Sequence, residues 1–129
     1  IVRRRAERPI HTTTDLSGLV LPAIPRRYHG HRIHPATRIF QALRIAVNHE
    51  LSELRLVMEA SVRRLTSGGR LCIISYHSLE DRIVKHGFRG WEKEGQLKVI
   101  TKRPVVASVA ERSFNPRCRS AKLRVAERC

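Results

Sequence analysis

The apolar run from Arg70 to Tyr76 leads without a break into His77-Ser78-Leu79-Glu80-Asp81-Arg82, which sets an imidazole, a hydroxyl, two carboxylates and a guanidinium side by side. An imidazole in such a place can orient a substrate or move a proton, and a guanidinium can fork onto phosphate. The plainer reading is a helix cap built by Ser78 and Asp81 together with an ordinary surface ion pair. A second set, Thr37, Gln41, Arg44 and Asn48, follows at steps of four, three and four residues, which is one stripe of a helix. Side-chain amides there can read a base edge while Arg44 takes phosphate; as boundary residues they would instead bond to neighbouring backbone. His29, His31 and His34 cluster, but the run has no cysteine or carboxylate to complete a coordination shell, and no metal is expected.

The elements that must carry these residues are legible from periodicity. Phe40, Leu43, Val47, Leu51, Leu54, Met58, Val62 and Leu65 recur at three- and four-residue steps, predicting one long helix, straight or kinked, over residues 35–65. Pro35 suits its first turn and Ser67-Gly68-Gly69 its stop. The Ile- and Leu-rich run that follows alternates little, as an interior strand of a parallel sheet would, buried on both faces. In such a sheet ligands gather at the C-terminal strand ends, which places His77 at the rim of a cleft. Ser78 is the expected N-cap of a second helix, and residues 97–101 and 122–127 read as two more strands across a loop carrying Pro104, Asn115 and Pro116. Before residue 34 the chain is mixed, with a basic helix end and a short helix after Thr14. Helix, strand, helix, strand, strand predicts an α/β layer fold. Tyr76 and Phe88 are expected in the core, with Trp91 open.

A chain of 129 residues suits one compact domain, and its first residue is Ile1, which suggests a piece of something longer. Lysine and arginine total 26 against 11 acidic residues, a formal charge of +15, which favours a polyanionic partner, RNA foremost. A solvated basic surface, or one that meets an acidic domain, is the simpler alternative. The three cysteines form no C-x-x-C pair, arguing against a disulfide framework or zinc ribbon and for a reducing, cytoplasmic setting. No apolar run is long enough for a membrane span.

Three segments resemble the bacterial small-subunit ribosomal RNA methyltransferase H family, also called MraW-type. The first is His34-Pro35-Ala36-Thr37-Arg38 with Phe40 through Asn48, the second Ile74 through Lys85, and the third Asn115-Pro116-Arg117-Cys118-Arg119-Ser120 with Leu123-Arg124 and Ala126-Glu127-Arg128. Tyr76 and Cys118 stand where phenylalanine and alanine are expected. The resemblance implies S-adenosylmethionine-dependent methylation of N4 of a cytidine in the decoding region of small-subunit ribosomal RNA. It also implies a Rossmann-like class I methyltransferase, with residues 1–33 ending a helical insertion domain and residues 34–129 forming the C-terminal part of the catalytic domain. The glycine-rich cofactor loop would lie elsewhere, since Gly68-Gly69 precedes a strand instead of following one, and the piece alone is expected to be inactive. RNA-facing candidates are His34, Thr37, Arg38, Gln41, Arg44, Asn48, His77, Ser78 and Arg82, with Arg117 and Arg119 on backbone phosphates. The partner implied is the small ribosomal subunit; the other class of reading is a non-catalytic RNA-binding or assembly module. A half-sheet is also expected to self-associate or swap domains through its unpaired edge and apolar face.

Overall fold

The computed structural model describes residues 1–29 and 34–129, which form two compact units, Ile1–Asn48 and His49–Cys129. His31, one of the three clustered histidines, lies outside the described residues.

The first unit is helical. Its helices are α1 (Val2–Glu7), α2 (Thr13–Val20) and α3 (Thr37–Val47), with short 3-10 turns at Leu21–Ala23 and Arg26–Tyr28. Helix α2 opens on a capping box: the Thr12 hydroxyl accepts from the Asp15 backbone N–H, and the Asp15 carboxylate accepts from that of Thr12. The Thr12 hydroxyl holds the Asp15 carboxyl below its ordinary range.

The expected single helix over residues 35–65 is in fact two. Helix α3 ends at Asn48, His49 takes the left-handed conformation (φ 53°, ψ 28°), and α4 (Glu50–Arg64) starts afresh. Asn and His tolerate this region better than most residues, and the restart is locally satisfied. The His49 carbonyl accepts from the backbone N–H groups of Ser52 and Glu53 and from the Ser52 hydroxyl, while Glu50 and Glu53 complement the positive end of α4. The apolar stripe divides with the helix: Met58 and Val62 are buried, whereas Val47 is 74% exposed.

In the second unit, α4 is followed by β1 (Arg70–Ser75), α5 (Ser78–Lys93), β2 (Leu97–Val99), β3 (Val105–Val106), α6 (Val109–Phe114), a 3-10 turn at Pro116–Ser120 and β4 (Lys122–Arg128). The turn after α4 needs glycine, since Gly68 has φ 77°, and its backbone N–H donates to the Arg128 carbonyl, tying the turn to the end of β4. Strand β4 is central. It pairs antiparallel with β1 along one edge and with β2 and β3 along the other. Strands β1 and β2 therefore run parallel to each other with α5 as their crossover, and the last strand of the chain slots between them. The α/β reading of the sequence holds. The expectation of parallel neighbours does not, because the insertion of β4 turns every pairing antiparallel.

The core is Met58, Val62, Val84, Phe88, Leu97 and Ala126, supplied by α4, α5, β2 and β4, with Leu71 and Ile73 of β1 packed against it. Within this unit β1 buries one face only. Cys72 is exposed and Ile74 is 55% exposed, alternating with Leu71, Ile73 and Ser75. The uninterrupted apolar run thus hides a two-faced strand whose outer side aligns with Leu123 and Val125 of β4. Tyr76, expected in the core, lies on that outer side at 55% exposure, while Phe88 is buried as expected. The stretch 102–121, read as loop from its prolines, holds β3, α6 and the 3-10 turn, elements too short to leave a periodic signal.

Candidate functional site

Strand β1 delivers His77 to the start of α5, and the local sequence fixes it there. His77 has extended backbone (φ −143°, ψ 166°), which lets its Nδ1 accept from the Glu80 backbone N–H at 3.3 Å. Glu80 answers through Oε2, which accepts from the backbone N–H of Tyr76 at 2.8 Å and of His77 at 3.2 Å. This is a capping box one residue earlier than the Ser78 and Asp81 frame suggested by sequence. Ser78 is helical and exposed. The imidazole took the cap because its ring nitrogen reaches the third helical N–H as a hydroxyl would. Replacing His77 with alanine is expected to cost about 1 kcal/mol of stability, read by urea denaturation, because the cap bond is lost.

Glu50 of α4 completes a cluster with His77 and Glu80, with one ligand-type atom of each within 4.8 Å of the others. His77 Nε2 lies 3.3 Å from Glu80 Oε1 and is buried without a well-formed hydrogen bond. A metal would need a lone pair on Nε2, yet Nδ1 already spends its own lone pair on the cap, so the neutral ring carries its proton on Nε2. Cap and metal exclude each other. The cluster instead fixes the ring, with Nε2 turned toward the Glu80 carboxylate. Added zinc is accordingly expected to leave the denaturation midpoint unchanged; a rise that saturates with zinc would contradict this.

Asp81 points the other way, onto β4. Its carboxylate accepts from Arg124 Nε at 2.7 Å and Nη2 at 3.4 Å, with Lys122 Nζ 3.5 Å off, and Arg124 is only 6% exposed. The Arg124 bond is the main cause holding the Asp81 carboxyl below its ordinary range. This buried pair, and Glu50 in the cluster above, were not found from sequence. Arg124 lies 43 residues from Asp81, and nothing local marks either partner.

Arg82 is exposed on α5 and lines a cavity with Arg55 of α4. Arg117 and Arg119 are exposed on either side of Cys118, whose burial to 5% exposure anchors the turn and leaves both guanidiniums outward. In the other unit Thr37, Arg38 and Arg44 are exposed along α3, Gln41 is half-buried, and Asn48 is the exposed C-cap. His34 is exposed and accepts at Nδ1 from the Ala36 backbone N–H, while His29 Nε2 lies 3.0 Å from the Ile24 carbonyl oxygen. No described helix is long and apolar enough to cross a membrane.

The second unit is an α/β unit with a fixed polar cluster where its first strand ends and exposed arginines on its surface, and the net charge of +15 over the whole chain favours a polyanionic partner. The chain belongs to the MraW methylase family, whose model matches residues 1–129. It is 54% identical over 129 residues to a ribosomal RNA small subunit methyltransferase H of Trichormus variabilis, covering 99% of this chain and 41% of that protein. It is 51% identical to the protein of the same name from Trichlorobacter lovleyi, covering 99% of this chain and 46% of the relative. A Nostoc relative of that name is likewise 54% identical, with 42% of its length covered. The chain thus spans less than half the length of the curated relatives it matches.

Proposed function

We propose that this chain is the C-terminal part of an S-adenosylmethionine-dependent enzyme that methylates N4 of a cytidine in the decoding region of small-subunit ribosomal RNA. The observation that carries the reading is a likeness running through all 129 residues to proteins whose name states methylation of small-subunit ribosomal RNA. In this reading residues 1–33 end a helical insertion and residues 34–129 belong to a Rossmann-like catalytic domain. The enzyme acts in the cytoplasm on the small ribosomal subunit. Methyl transfer to an exocyclic amine needs an in-line approach on a base taken out of its stack, so the protein's main work is positioning.

The local chemistry at the end of β1 supports a cofactor held elsewhere. The turn after β1 is Tyr76-His77-Ser78 with no glycine, and the Glu80 N–H at the start of α5 is taken by His77. The methyl donor is therefore held mainly by other parts of the protein, and this chain supplies RNA contacts. The RNA-contact candidates are His34, Thr37, Arg38, Gln41, Arg44 and Asn48 in one unit and, in the other, His77, Ser78 and Arg82, with Arg117 and Arg119 on phosphates. Calorimetry tests the division of labour: the longer protein binds S-adenosylmethionine and the 129-residue chain alone does not. Failure of the longer protein to bind it would remove the enzyme and leave a non-catalytic RNA-binding module.

Replacing Arg44 with alanine in the longer protein is expected to slow methylation of small subunits about tenfold, the loss of one charge-assisted phosphate contact. An unchanged rate would take Arg44 off the RNA surface. The chain alone is expected to self-associate, because Ile74 and Val105 lie exposed on the outer sheet face and β1 has only β4 as a partner among the described residues. Sedimentation as a stable monomer would contradict this.

A further inference from the structure

Helices α4 and α5 line a groove of about 390 Å³ further along the seam where Glu50 meets His77 and Glu80, within the size range of small-ligand sites. Its floor is apolar. Met58 and Ile83 come from the two helices, and Trp91 closes one end. Gly87 keeps the floor open, since a Cβ there would lie 2.8 Å from the Met58 methyl and 3.3 Å from the Trp91 ring. The rim is cationic: Arg55 of α4 and Arg82 and His86 of α5 are all exposed. The one acid on the rim, Glu59, is engaged by Arg63 at 3.6 Å, and among the described residues neither Arg55 nor Arg82 has an acidic partner.

We propose that this groove holds one nucleotide of single-stranded RNA, the base against Trp91 and the phosphate between Arg55 and Arg82. An indole beside two free guanidiniums matches the two parts of a nucleotide, a π-face and an anion, and asks for no particular base. An acidic peptide offers the charge without the ring, and an apolar helix offers neither. The proposal rests on the reading of the chain as RNA-binding and extends the contact region along α5 from Arg82 to Trp91.

Trp91 is the only tryptophan of the chain, so its emission reports this groove and not RNA held elsewhere on the basic surface. Titration of the 129-residue chain with oligouridylate is expected to quench that emission, and uridine without phosphate to quench it more weakly. The double variant R55A/R82A, with an unchanged circular dichroism spectrum because both residues are exposed, is expected to bind about tenfold more weakly and with a shallower salt dependence. R82A alone is expected to fall between the two. Unchanged Trp91 emission at saturating RNA, equal affinity in R55A/R82A, or quenching by an acidic peptide but not by oligouridylate would each overturn the proposal. Methylation of small subunits by the longer protein is measured separately. If methylation occurs and quenching does not, the groove assignment falls alone; if quenching occurs without methylation, the groove stands and the enzymatic reading falls.

Discussion

Alanine in place of Asp81 is expected to destabilise the unit His49–Cys129 by roughly 3 kcal/mol, because it strands the guanidinium of Arg124 in the interior without its partner. The Asp81 side chain is 14% exposed and that of Arg124 is 7% exposed, so water cannot replace the lost bonds. The pair also joins the first turn of α5 to the central strand, and the damage should appear as a lowered urea midpoint with both helices loosened. Converting both residues to apolar ones of similar size, D81L with R124M, is expected to recover much of the loss, since the cost lies in the unpaired charge and not in the absence of a salt bridge. Acid should imitate the single variant. The folded state holds the Asp81 carboxyl below its ordinary range, so the unfolded chain takes up the proton first as pH falls. The stabilisation is therefore complete above the unfolded-chain value near about 3.9 and fades as pH drops through the lower folded value. In D81N that part of the acid dependence is absent.

Truncating Phe88 to alanine is expected to cost about 4 kcal/mol, the largest single effect in the chain, and to leave the isolated unit largely unfolded at 37 °C. Phe88 is 1% exposed and sits where α5 meets α4 and the sheet, among Met58, Val84, Leu97 and Ala126. None of these neighbours is large enough to fill the space left by the ring, so most of the cavity persists. Thermal denaturation followed by circular dichroism measures the loss. A drop of less than about 1 kcal/mol would mean that the core is not organised around this ring.

The pattern in the sequence revealed the elements that bury an apolar stripe. Helix α5 and strands β1, β2 and β4 lie within a residue or two of their expected places, because each repeats an apolar residue often enough to mark its period. What the pattern could not reveal was decided by single backbone conformations or by distant partners. The break at His49 turns on one left-handed residue inside an otherwise continuous stripe. The cap at His77 displaced the one expected at Ser78 because an imidazole can stand in for a hydroxyl. The outer face of β1 is apolar and yet exposed, so composition alone implied two buried faces where this unit covers one. Of the candidate site residues, the sequence marked His77 and Arg82 as members of one turn, and the structure turns them to different neighbours, Glu50 and Glu80 for one and Arg55 for the other. The cap explains the split, since His77 has extended backbone ahead of α5 while Arg82 lies within the helix.

Mapping the reaction product tests most directly whether these residues serve methyl transfer to small-subunit ribosomal RNA. Small subunits lacking the modification are incubated with the longer protein and labelled S-adenosylmethionine, and the ribosomal RNA is digested and read by mass spectrometry. The expected result is one labelled methyl group on the exocyclic amine of a decoding-region cytidine. Small subunits that bind the protein but acquire no label, or label found only on another base, would contradict it.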